Sequence, residues 1–236
     1  MNRELILIAG TAASLGIIHT ILGPDHYIPF IVISRARRWN LFKTLWVTLF
    51  AGLGHILSSV IIGLAGIALG VAVFKLEAIE SFRGEIAAWL LIAFGLLYGV
   101  WGLRRAARVR THEHKHDHAD GIRHEHKHNH QTDHMHVHPE TAATLTPWIL
   151  FTIFVFGPCE PLIPLVMYPA AKHNFPAVAA VALIFGLATI STMIGMVAAM
   201  YYGVSKMPFG RIEKYSHALA GLSIFLCGAA VKFLGL

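Results

Sequence analysis

Charge is scarce in this chain, and so is cysteine. Of its 236 residues 14% are charged and 56% hydrophobic, with a mean hydropathy of +0.60. A soluble domain carries roughly a quarter charged residues. The charges present are also clustered: the runs 5–23, 44–74, 86–103, 147–171, 175–204 and 215–236 hold almost none. Each is about as long as, or longer than, the ~20 residues that cross a bilayer. Six transmembrane segments and no large soluble domain are expected. The two cysteines, Cys159 and Cys227, both lie in apolar runs and make no disulfide framework. The first apolar run is long for a signal sequence, and no clear small-residue cleavage site ends it, so it reads as a span. No ATP-binding motif is present, and no enzymatic role is expected.

The basic residues set an expected orientation. The connections 34–43, 104–146 and 205–214 hold 14 of the 19 Lys and Arg residues. The other side has Arg3, Lys75, Arg83, Lys172 and Lys232. By the positive-inside rule the first set is cytoplasmic and both termini lie outside, in a multi-pass inner-membrane protein. The net charge of +6 therefore reports topology. No basic aromatic patch accompanies it, so nucleic acid is not an expected partner. The lipid bilayer is, and a homo-oligomer is allowed.

The chain repeats itself at an offset of 134 positions. Gly23-Pro24 falls on Gly157-Pro158, Asn40 on Asn174, Gly52-Leu53 on Gly186-Leu187, and Ile56 on Ile190. Three spans per half place the halves in opposite senses. The expected architecture is an all-α membrane protein of six helices, a 3+3 inverted repeat with broken first and fourth helices. Its parts are residues 1–105, a linking loop 106–146, and residues 147–236. Inverted repeats with broken helices are typical of secondary transporters, whose sites lie near the bilayer midplane.

Both breaks carry chemistry. Proline removes a backbone donor, and freed backbone groups inside a bilayer must face protein or a water-filled cavity. Gly23, Pro24, Gly157 and Pro158 therefore mark lined cavities. Around them stand His19, Asp25 and His26 in the first half, Cys159 and Glu160 in the second, and His55 near the centre of segment two. Ionisable residues inside a membrane are expensive and mark a site by default. Three imidazoles, two carboxylates and a thiol at one depth suit a divalent transition metal rather than an all-oxygen calcium or magnesium site. Asp25 is either a direct ligand or the group that orients a ligand histidine. Taken singly, each has a plainer reading: His55 as an interhelical hydrogen-bond partner, Cys159 as a small apolar filler, Glu160 as a partner for broken backbone. His173 and His217 read as interfacial.

The stretch THEHKHDHADGIRHEHKHNHQTDHMHVHPE holds 11 of the 16 histidines. They are His112, His114, His116, His118, His124, His126, His128, His130, His134, His136 and His138. Such tracts bind divalent metals. With almost no apolar residues, this one is expected not to pack and to capture metal at the cytoplasmic face.

These residues resemble the nickel/cobalt transporter family, in its six-helix efflux-like and urease-accessory-type permease branch of the LysE-like transporters. His19, Asp25 and His26 are similar to its first signature, though five residues rather than four separate His19 from Asp25. Gly54-His55 with Ser58-Ser59 is similar to its second. The resemblance implies metal contact by His19, Asp25, His26 and His55, and transport of nickel or cobalt, with export slightly favoured over uptake. Zinc and copper are the next candidates. The layout also resembles membrane thiol–disulfide carriers of the DsbD type, which have two three-helix halves and proline-flanked cysteines. Against that stand Asp25 at the repeat position of Cys159, and Cys227 on segment six, away from either break. Export of a sulfur compound is a third alternative; as an anion it calls for a basic cavity, and no Lys or Arg lies at the breaks.

Overall fold

The computed structural model describes residues 3–108, 112–117, 123–128, 139–206 and 210–235. Helix α1 (Arg3–Leu22) ends where Gly23 and Pro24 interrupt it. A single 3-10 turn, Pro24–His26, leads into α2 (Ile28–Ala36). Helices α3 (Leu41–Ala68) and α4 (Val73–Arg108) follow. In the second half α5 (Pro139–Phe156) stops at the Gly157-Pro158 break and α6 (Leu162–Ala171) resumes. Helices α7 (Phe175–Ser205) and α8 (Ser216–Leu234) complete the chain.

Among the described residues, five helices are long and apolar enough to cross a membrane: Arg3–Leu22, Leu41–Ala68, Val73–Arg108, Phe175–Val204 and Ile212–Leu234. Leu7, Leu22, Ile61, Leu97 and Phe233 present apolar side chains on the outside, as a lipid environment requires. The chain is a multi-pass membrane protein. The fourth expected segment is divided between Leu145–Phe156 and Leu162–Ala171, each too short to cross alone. The third is longer than its uncharged core 86–103. At 1.5 Å per residue, 36 residues make α4 about 54 Å long, against a hydrocarbon core of about 30 Å. It takes in Glu80 and Arg83, which the hydropathy of the sequence leaves outside.

The histidine-rich tract also departs from expectation. His112–Asp117 (β1) and Arg123–His128 (β2) pair as an antiparallel hairpin. Its register sets His112 opposite His128, His114 opposite His126 and His116 opposite His124. Alternation of residue types suits the two-residue period of a strand, and backbone pairing needs no apolar core. His118, His130, His134, His136 and His138 lie outside the described residues.

Several repeat matches have a structural use. Asn40 caps α3, its side-chain oxygen accepting from the Lys43 amide at 2.8 Å. Asn174 caps α7 in the same way, accepting from the Ala177 amide at 3.2 Å. Each cap satisfies an amide that the helix start leaves without a partner. Where α3 meets α7, a Cβ on Gly52 would lie 3.4 Å from Ile190, and one on Gly186 would lie 3.1 Å from Ile56. The contact is thus reciprocal between residues 134 positions apart. Helix α1 packs on α7 and α5 on α3; α2 packs on α8 and α6 on α4.

The longest interface joins α4 to α8 through small residues. A Cβ on Gly221 would stand 2.2 Å from the Gly99 nitrogen, and one on Gly95 would stand 2.3 Å from the Phe225 nitrogen. Only glycine lets the two backbones approach so closely, as is common between membrane helices. Ion pairs sort the ends of the bundle. Arg38 meets Glu213 at 3.1 Å, so the 37–40 and 206–215 connections share one end. Lys172 meets Glu4 at 2.8 Å, tying the start of α1 to the end of α6.

Candidate functional site

The first break comes from local chemistry. The Gly23 amide still donates to the His19 carbonyl at 3.0 Å, but Pro24 has no amide to offer the next turn. The chain tightens, and the His26 amide donates to the Gly23 carbonyl at 3.1 Å. This brings His26 back toward His19, with ring centroids 4.7 Å apart. A Cβ on Gly23 would lie 2.4 Å from the His26 Nδ1, so that position must be glycine for the ring to fold back.

His55 arrives from the middle of α3. Its ring centroid is 5.2 Å from that of His26 and 6.2 Å from that of His19. The three residues offer ligand atoms that all lie within 4.8 Å of one another. Phe154 of α5 and Phe185 of α7 wall the group, their centroids 6.3 Å from His55 and 6.4 Å from His19 respectively. The second break abuts the same site. A Cβ on Gly157 would stand 2.9 Å from the His55 Nδ1.

The polar accounting of this cluster is incomplete. The Nδ1 of His26 has partners in the Gly23 carbonyl and the Asp25 carboxylate, each at 3.1 Å. The Nε2 atoms of His19, His26 and His55, and the Nδ1 of His55, are buried without a hydrogen-bond partner. A buried polar atom left so costs about 1–3 kcal/mol, and four such nitrogens stand together here. A tetrahedral zinc-type ion needs nitrogens about 3.3 Å apart, from bonds of 2.0–2.1 Å. Asp25 on the far nitrogen of His26 is the arrangement that fixes the tautomer of a ligand histidine. The donor set fits a transition ion.

The six residues singled out from the sequence do not all converge. His19, His26 and His55 do, with Asp25 behind His26. Cys159 is fully buried in a separate cluster with Ala12, Ile56, Leu162 and Phe185. Glu160 is exposed on the outside of the break and joins neither group. Cys227 departs from expectation in the other direction. Helix α8 packs on the Pro24–His26 turn, and Cys227 is buried on that helix. Both thiols are free. Cys159 thus lies in the second break itself, and Cys227 on the helix that packs against the first.

Sequence reasoning missed Glu80, and it counted Arg83 only as a charge on the outer side. Glu80 is fully buried, and Arg83 is 9% exposed. Arg83 pairs with Glu80 and donates to the Val155 carbonyl at 2.6 Å and the Gly157 carbonyl at 3.3 Å. A cation does stand at the second break, contrary to expectation, and it arrives from α4. The one available signal was the i,i+3 spacing of two opposite charges next to an apolar run. Thr189, at the repeat position of His55, was also missed. Its hydroxyl is buried without a partner.

Comparison with known proteins returns one family. Residues 28–230 match the model described as cytochrome C biogenesis protein transmembrane region. No curated protein and no solved structure matches the chain. This overturns the nickel/cobalt identification, which rested on about a dozen positions in two short motifs, whereas the match runs through α2–α8. It begins beyond His19, Asp25 and His26, so the first of those motifs lies outside it. By a match over most of its length, the chain belongs to the family of the cytochrome C biogenesis protein transmembrane region.

Proposed function

We propose that this protein is a membrane carrier in thiol–disulfide or sulfur-compound traffic, and not an enzyme, working where the two broken segments meet. The observation that carries the reading is a pair of free, buried thiols, Cys159 in the second break and Cys227 on α8, the helix packed against the first. Family membership supports it. A thiol reacts as its thiolate, and a thiol sealed in apolar surroundings is inert. Opening of a break would expose its cysteine to a partner disulfide. Exchange then forms one S–S bond as another breaks, and the departing sulfur takes up the proton the cysteine gave. The reciprocal contacts of α3 with α7 support two inverted halves that open in turn around this centre.

The test is electron transfer across proteoliposomes loaded with a dithiol, read as reduction of an impermeant disulfide outside. Wild type should conduct, and Cys159→Ser should lower the rate about tenfold or more, as expected for a lost nucleophile. Conduction at the wild-type rate in both Cys159→Ser and Cys227→Ser would remove the thiol reading.

A second reading is favoured by one specific observation, the three converging imidazoles with unpartnered nitrogens. Here His19, His26 and His55 hold a divalent transition metal as cargo, Asp25 orients His26, and the histidine-rich tract supplies or receives the ion. Equilibrium dialysis of zinc against the purified protein with residues 112–138 deleted checks it. Binding of about one ion per chain, abolished by His19→Ala/His55→Ala, supports a central site. An absence of binding by the parent protein would end this reading. Cys159→Ser should leave zinc binding intact, so the two readings separate.

A further inference from the structure

The second break is held from outside its own segment. Glu80 and Arg83, one turn apart on α4, reach it together. One Glu80 carboxylate oxygen accepts from the Cys159 amide at 2.9 Å and from the Ser59 hydroxyl at 2.8 Å. The other pairs with Arg83. The Arg83 guanidinium donates to the Ser58 hydroxyl at 2.6 Å, the Ser59 hydroxyl at 3.2 Å, and the Val155 and Gly157 carbonyls at 2.6 and 3.3 Å. Gly84, the next residue, receives Pro158: a Cβ there would stand 2.8 Å from the proline ring. Glu80 and Arg83 thus match the groups that the break frees, one amide and two carbonyls, and Gly84 leaves room for the proline ring.

An ion pair in so buried a place needs a reason. Removing two charges from water is expensive, and packed apolar residues of similar volume often serve stability as well or better. What apolar residues cannot do is bind the backbone groups of an interrupted helix. Both Glu80 oxygens and both terminal nitrogens of Arg83 have partners, so the network fixes one geometry. The first break is built differently. It is held by the His26 contacts to Gly23 and Asp25 and by the Tyr27 hydroxyl, which donates to the Ile21 carbonyl at 3.2 Å. Its partners are its own neighbours in sequence.

We propose that Glu80 and Arg83 are the positioning pair of the second break, a latch that ties Val155, Gly157 and Cys159 to α3 and α4 and must part before Cys159 becomes accessible. The latch sits four residues along α3 from His55, and the Ser58 hydroxyl also donates to the His55 carbonyl at 2.8 Å. Its release would therefore loosen the wall of the histidine cluster as well. It acts in this way whatever the cargo.

The experiment is the rate at which N-ethylmaleimide labels Cys159 in the full-length protein in lipid nanodiscs, with Cys227→Ser to leave one thiol. Labelling should be slow, because the thiol is sealed. Adding Glu80→Leu/Arg83→Met, which leaves no lone buried charge, should raise the rate about tenfold or more by favouring local opening. A wild-type rate in that variant would overturn the proposal. The same double change is made with Cys159→Ser, so that Cys227 is read instead. Cys227 should keep its rate within about twofold, since independent sites open separately. An equal rise at both cysteines would mean a loosened bundle and would equally overturn the latch. Should the double variant fail to insert, Arg83→Lys serves: it keeps the charge, but one ammonium cannot meet two carbonyls, two hydroxyls and Glu80 together. Its Cys159 should label several-fold faster, and an unchanged rate there would again refute the latch.

Discussion

Asp25 illustrates how much one side chain sets at the histidine cluster. Its carboxylate lies 3.1 Å from the His26 Nδ1, which the Gly23 carbonyl also shares. This leaves the Nε2 turned toward His19 and His55. With Asp25→Asn the ring keeps a neighbour of the same shape but loses the charged acceptor that orients it. Groups of this kind typically contribute 10–100-fold to metal affinity. Zinc affinity by competition titration should therefore fall about tenfold or more in Asp25→Asn, with the chain still inserted. Unchanged affinity would show that the Gly23 carbonyl alone orients the ring. The residue types His, Asp and Cys were legible in the sequence because ionisable groups are conspicuous in an apolar run. Which of them meet was not. Glu160 and Cys159 are neighbours in sequence, yet one faces outward and the other is sealed.

Helices in this fold are defined by their interruptions and by their closest contacts. The breaks at Gly23-Pro24 and Gly157-Pro158 stand where the sequence places them, since proline's missing amide acts locally. The caps at Asn40 and Asn174 are local too, each reading three residues ahead. The α4–α8 seam is not. Gly95, Gly99 and Gly221 are ordinary glycines in sequence, and their use emerges only where two backbones touch. Gly221→Ala should force the helices apart, since its Cβ would meet backbone atoms that cannot turn aside. Overpacking of this kind costs about 1–3 kcal/mol, so the thermal midpoint in detergent should drop by several degrees. Asn40→Ala should cost about 1 kcal/mol through the lost cap. If Gly221→Ala unfolds no earlier than Asn40→Ala, the seam tolerates a wider spacing than the structure has.

For the whole molecule, the two halves are joined by packing rather than by their linker. Helix α1 lies on α7, α5 on α3, and α4 on α8, so each half is seated on the other. The hairpin of β1 and β2 pairs with itself. Deleting residues 112–138 should leave helical content and the thermal midpoint within a few degrees of the parent, as expected when a polar connection is shortened. Carrier activity should stay detectable at a lower rate. A collapse of the helical fold on deletion would show that the tract takes part in assembling the halves.

The sequence alone determined that the protein lives in a membrane, where its helices break, and which residue types stand at the breaks. Those properties follow from hydropathy, from proline's missing donor and from short-range caps, all of which act within a few residues. Tertiary structure decided the rest. It brought His55 to His19 and His26, packed the helix of Cys227 on the first break, left Glu160 outside, and buried Glu80 and Arg83 at the second break. Each of these depends on which helix faces which. In lipid that choice rests on close packing and on satisfying freed backbone groups, since apolar side chains are as well solvated by lipid as by one another.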